Sequence, residues 1–234
     1  MHSRQMALPG WGKSGQQKLA QQQVLIVGVG GLGTQLALQL AASGVQKIHL
    51  LDFDQVDSSN LSRQILYCHL DVGKAKAKVA AEFLSQRYPD TEFSARVGKF
   101  EVKDFDDFPN INFFFDCSDD LPSRYVMEQF SIQFDKPWIS GSLHRFQGQV
   151  ALFHWEYAQG KRTMNYSDLF KENKEKNNAG NCAEAGIAPY FPGLVAQLMA
   201  GEYFKAVIGY QQPLLNELLL LDALQLQLTK IALG

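Results

Sequence analysis

No stretch of about 18 uninterrupted apolar residues occurs in this 234-residue chain, and Met1 to Gln23 contain no apolar core of signal-peptide length. These absences argue against a membrane partner and for a cytoplasmic protein. Cysteine is scarce. Cys68, Cys117 and Cys182 are odd in number, widely separated and never at CxxC spacing, so they supply neither a disulfide framework nor a four-thiolate zinc site. An excess of one charge is missing too: 22 basic against 24 acidic residues leave a net charge of −2, which gives nucleic acid no electrostatic hold. Nothing in the composition resembles a disordered or collagen-like chain, and 46% hydrophobic residues suffice for one α/β core.

What is present begins with Val24 to Val27, a short β-branched run leading into Gly28-Val29-Gly30-Gly31-Leu32-Gly33. Leu32, Leu36 and Leu40 then recur at spacing four until Gly44, as on an amphipathic helix, and Lys47 to Leu51 make a second strand ending at Asp52. This βαβ order predicts a Rossmann-like, doubly wound α/β fold with a mostly parallel sheet. A further helix is expected from Asp71, with Val79, Ala80, Phe83 and Leu84 inward, and a buried parallel strand over Ile111 to Phe115. Later strands are expected at Trp138 to Ser140 and Gln149 to His154. Beyond them come a mobile polar loop over Lys171 to Asn181, a helix over Gly193 to Ile208, and a period-two strand over Leu224 to Leu228. One domain, 1–234, is the simplest division: a helical arm (1–23), a nucleotide-binding core (24–155), a crossover loop (156–192) and a C-terminal helix with strands (193–234) that docks a partner.

Glycine is required in the loop for mechanical reasons. Gly28 turns the chain, Gly30 with Gly31 lets backbone amides approach phosphate, and Gly33 lets the helix come close to the strand. Asp52, nineteen residues after Gly33, is placed to accept from ribose hydroxyls, which fits a nicotinamide oxidoreductase as well as an ATP enzyme. The following segment separates the two. Asn60, Arg63 and Lys76 cluster after the ribose site, as charge neutralisation in nucleotidyl transfer requires and a plain dehydrogenase does not. Arg63 or Lys76 alone would usually read as a solvated surface charge, and it is their clustering that argues otherwise.

Five ordered runs, VLIVGVGGLG, LLDFDQVDSSNLSRQ, DVGKAK, DCSD and NCAEAGI, resemble the MoeB/ThiF family. These bacterial relatives of ubiquitin-activating enzymes adenylylate sulfur-carrier proteins for molybdopterin or thiamine synthesis. The resemblance implies ATP and Mg²⁺, a small ubiquitin-like carrier ending in Gly-Gly, and a homodimer. It implies phosphate contacts from the glycine loop, Asn60, Arg63 and Lys76, ribose contact from Asp52, and Asp119 on the magnesium side. Ser3-Arg4-Gln5 resembles the end of a family motif whose arginine reaches the opposite subunit's site, so Arg4 becomes a candidate acting across the dimer, against a terminal surface charge. Cys182 matches a sulfur-transfer cysteine of the thiamine branch, against a small packing residue. Arg162-Thr163-Met164-Asn165 stand where relatives carry the first CxxC of a zinc site, so no zinc is expected. Asp120 stands where the family commonly has asparagine. A silent scaffold of the same fold is the competing reading, and the carrier-docking surface is expected around Phe146 and Phe191.

Overall fold

Adjacent residues of β1 (Gln23–Val27) point to opposite sides of a sheet, and both sides are apolar: Val24 and Ile26 enter one core, Leu25 and Val27 the other. The same holds in β4 (Phe113–Asp116), where Phe113 and Phe115 face one layer and Phe114 the other. Such continuously apolar strands demand cover on both faces, which is why the chain winds helices around them. The structure, a computed structural model, describes residues 2–108, 110–170 and 186–233.

Eight strands form one sheet in the order β10-β9-β6-β5-β4-β1-β2-β3. β2 (Lys47–Asp52), β3 (Glu92–Val97), β1, β4 and β5 (Trp138–His144) run parallel. β6 (Gln147–Phe153), β9 (Glu217–Asp222) and β10 (Gln227–Ala232) continue it antiparallel. One face is covered by α3 (Gly31–Ser43), α4 (Lys76–Arg87) and α7 (Phe191–Ile208), and the other by α5 (Leu121–Phe134). The expected mostly parallel, Rossmann-like α/β fold is therefore present. At its amino end α1 (Ser3–Met6) and α2 (Gly12–Ala20) pack beside α7 and the far end of α3.

Several expected boundaries move. The helix expected from Asp71 begins at Lys76, because Val56 and Asp54 pair with Lys74 and Lys76 in a short antiparallel ladder that keeps the preceding residues extended. Asp71 instead accepts from Cys68 and Lys74, and Phe83 points outward at 39% exposure. Strand β3 carries too many polar residues to have stood out. The leucines of Leu224 to Leu228 belong mostly to a turn rather than a strand: Asp222 accepts from the Leu224 and Gln225 amides, and Leu226 has φ +51°. The strands lie on either side of it. Inside the expected crossover loop sit a β7 (Glu156–Ala158) and β8 (Lys161–Arg162) hairpin and α6 (Tyr166–Leu169). The stretch Lys171 to Asn181 lies outside the described residues.

Candidate nucleotide site

The glycine loop leaves the carboxyl end of β1, where the strand order reverses between β1 and β4; open α/β sheets bind ligands at such crevices. Gly28 has φ +90°, and a Cβ there would lie 2.7 Å from the Cys117 carbonyl oxygen. A Cβ at Gly33 would lie 1.9 Å from the Gly28 carbonyl oxygen, so no other residue lets α3 start this close to the strand. Gly31 faces Pro192 of α7, with the Arg63 Cγ 3.9 Å from where its Cβ would stand, and Gly30 faces the Gln64 amide at 3.5 Å. Free amides at the start of α3 face this space, which favours an anion.

Asp52, at the end of β2, is 7% exposed. Its carboxylate accepts from the Val29 amide at 2.6 Å and the Asp54 amide at 2.8 Å. Burial pushes its pKa up, opposed by those two amides and by Lys76. Each carboxylate oxygen keeps acceptor capacity for a ribose hydroxyl. Lys76 opens α4 with its Nζ 2.8 Å from Asp54, so Asp52, Asp54 and Lys76 form one connected chain. Asn60 completes a tight turn with Asp57, and Arg63 folds back so that its guanidinium donates to the Ser59 carbonyl at 3.1 Å.

At the end of β4, Asp116 is fully buried. It accepts from Arg124 Nε at 2.8 Å, Ser140 Oγ at 2.7 Å and both the amide and hydroxyl of Ser118. Arg124 also donates to the Ser118 carbonyl. Burial opposes the Arg124 charge, but Asp116 and the Tyr166 hydroxyl outweigh it and raise its pKa. This network fixes the backbone that presents Asp119, which is exposed and makes no hydrogen bond or ion pair with the described residues. A cavity of about 130 Å³ lies beside Arg124, between Ser140, Gln149, Phe153 and Tyr166.

The structure thus gathers Gly28, Gly30, Gly31, Gly33, Asp52, the stem of Arg63 and the start of α4 at Lys76 around one loop, with Asp119 two residues past the carbonyl that Gly28 packs against, whereas the Asn60 side chain is turned into its own turn with Asp57 and Ser59. It does not bring Arg4 there. Gln5, next to Arg4, donates to the Ser43 carbonyl at the opposite end of α3 from Gly31, about 20 Å away for thirteen residues of helix. Cys182 lies outside the described residues. Among them, no group of three or more His, Cys, Asp or Glu is arranged to hold a metal. Phe191 is fully buried under Gly148, so it forms part of the core and no docking surface, whereas Phe146 is 38% exposed. Sequence reasoning missed Tyr67, Asp54 and Arg124, whose contacts cross loops without a spacing signature.

The ThiF family matches residues 2–234. The chain belongs to the ThiF family. Among relatives, the sulfur carrier protein adenylyltransferase of Thermus thermophilus is 35% identical over 231 residues, covering 98% of this chain and 85% of that one. A probable adenylyltransferase/sulfurtransferase MoeZ of Mycobacterium tuberculosis is 35% identical over 230 residues, covering 96% of this chain and 57% of that one. A crystal structure of E. coli MccB with MccA-N7isoASN superposes with a TM-score of 0.80 at 25% identity, covering 94% of this chain and 66% of that one. This ThiF-family chain therefore spans little more than half the length of the MoeZ relative. No described helix is long and apolar enough to cross a membrane.

Proposed function

We propose that the protein is an ATP-dependent adenylyltransferase acting on the C-terminal glycine of a ubiquitin-like sulfur-carrier protein. The observation that carries this reading is Arg63, whose stem lies against Gly31 of the glycine loop. From that stem the guanidinium, which rests on the Ser59 carbonyl, would swing toward the loop to neutralise triphosphate charge. Relatives named for sulfur-carrier and molybdopterin-synthase adenylylation support it.

In this reading ATP lies with its ribose on Asp52 and its phosphates over the amides of Gly30 and Gly31. The carrier's terminal carboxylate, ionised at neutral pH, attacks the α-phosphorus. A carboxylate oxygen–phosphorus bond forms as the α–β phosphoanhydride bond breaks, and pyrophosphate leaves with the electron pair. No general base is needed. Arg63 and Asn60 neutralise and orient the phosphates, and Lys76, held by Asp54, adds positive charge beside them. The exposed carboxylate of Asp119 would hold Mg²⁺, which when bound would supply charge neutralisation on the phosphate side. The cavity beside Arg124 suits a Gly-Gly tail, which has no side chains to accommodate. Arg4 acts from a second copy of the chain in a homodimer, and Cys182 is a candidate for later sulfur transfer.

The test is ATP–pyrophosphate exchange with a carrier ending in Gly-Gly. Exchange should require carrier and Mg²⁺, and Arg63→Ala should lower it about 10²-fold or more, the scale for removing one transition-state charge partner. Absence of exchange with a cognate Gly-Gly carrier, or an unaltered rate in Arg63→Ala, overturns the reading. Preferential NAD binding in a nucleotide thermal-shift panel points instead to an oxidoreductase.

A further inference from the structure

Tyr67 lies in the irregular segment between the Arg63 turn and α4, and it is 6% exposed. Its hydroxyl is 2.7 Å from the Val29 carbonyl oxygen and 3.3 Å from the Lys76 carbonyl oxygen. A phenol has one proton to donate, so the short contact with Val29 is the principal bond and Lys76 takes the weaker arm of a shared one. The same Val29 peptide is held on its other side, where its amide donates to Asp52. The residue between the first two glycines of the loop is therefore fixed at both its N–H and its C=O. A glycine-rich loop that must place amides on phosphate gains from this, since glycine otherwise leaves the backbone the widest choice of conformations. Burial, with Asp52 and Asp71 nearby, raises the Tyr67 pKa, so the group remains a neutral donor across the working pH range.

We propose that Tyr67 is a positioning residue that locks the phosphate-binding loop to the start of the helix carrying Lys76, setting the distance between the phosphate cradle and its cation. The inference rests on the nucleotide-activating reading above, which it deepens by naming what holds the cradle in place.

The experiment compares wild type, Tyr67→Phe and Tyr203→Phe by calorimetric binding of ATP and of adenosine, which needs no carrier. Tyr203 is a fully buried phenol whose hydroxyl has no partner among the described residues, so its variant reports the loss of a buried hydroxyl that makes no such bond. Tyr67→Phe should weaken ATP about five- to tenfold, the scale of one structural hydrogen bond, and leave adenosine within about twofold. Tyr203→Phe should leave both unchanged. The effect of Tyr67→Phe on ATP should shrink to about twofold or less in a Lys76→Ala background, because residues acting through one another are not additive. Unchanged ATP affinity in Tyr67→Phe, equal loss of ATP and adenosine, or full additivity with Lys76→Ala overturns the proposal. A wild type that binds ATP but performs no carrier-dependent exchange defeats the adenylylation reading and leaves the binding comparison to judge Tyr67. A wild type that does not bind ATP overturns both.

Discussion

At the residue scale, the carboxyl group of Asp52 carries two opposed pH dependences. Because burial raises its folded pKa, the protonated form is the one that folding favours; its contribution to stability is present at low pH and lost as pH rises through that raised value. Nucleotide binding runs the other way, since protonation removes acceptor capacity for ribose. The Kd for ATP should therefore rise as pH falls, starting above the usual carboxylate range, and Asp52→Asn should remove that acid limb. An acid limb unchanged in Asp52→Asn assigns it to another group. Glycines and Asp52 were legible in the sequence because their spacing is imposed by a single strand–turn–helix. The partners of Lys76 and Tyr67 were not, since Asp54 and Val29 reach them only through the folded loop.

At the element scale, α5 shows how a departure from a family pattern can be neutral. Asp120 is its N-cap, with the side chain accepting from the Ser123 amide and hydroxyl. Asparagine caps equally well, so Asp120→Asn should change stability by only a few tenths of a kcal/mol, whereas Asp120→Ala should cost about 1 kcal/mol in denaturant unfolding. A larger loss of exchange than of stability in Asp120→Asn would give the charge a role in the site. Helices with a long apolar stripe, such as α3, were readable from period alone. α4 was misplaced at its start because a local ladder outcompeted the capping signal at Asp71. The leucine alternation near the C-terminus misled for another reason. A left-handed residue at Leu226 turns the chain where the pattern alone suggests extension.

At the scale of the whole molecule, Arg4 and the glycine loop occupy opposite ends of α3 in one chain. If Arg4 serves a neighbouring copy, Arg4→Ala and Arg63→Ala should each lose most exchange alone and regain it when refolded together, because mixed dimers contain one intact site. No recovery on mixing places Arg4 outside the catalytic apparatus. The mostly parallel character of the sheet followed from the βαβ pattern, but its antiparallel extension did not, since ELLLLD at Glu217 to Asp222 reads equally as core helix or strand. Pro192 closing over Gly31 joins two parts of the chain that leave the ribosome far apart in time. The wall of the candidate nucleotide site is thus among the last features to be finished during synthesis, and a nascent chain that has already made its first strand, loop and helix still lacks it until α7 emerges.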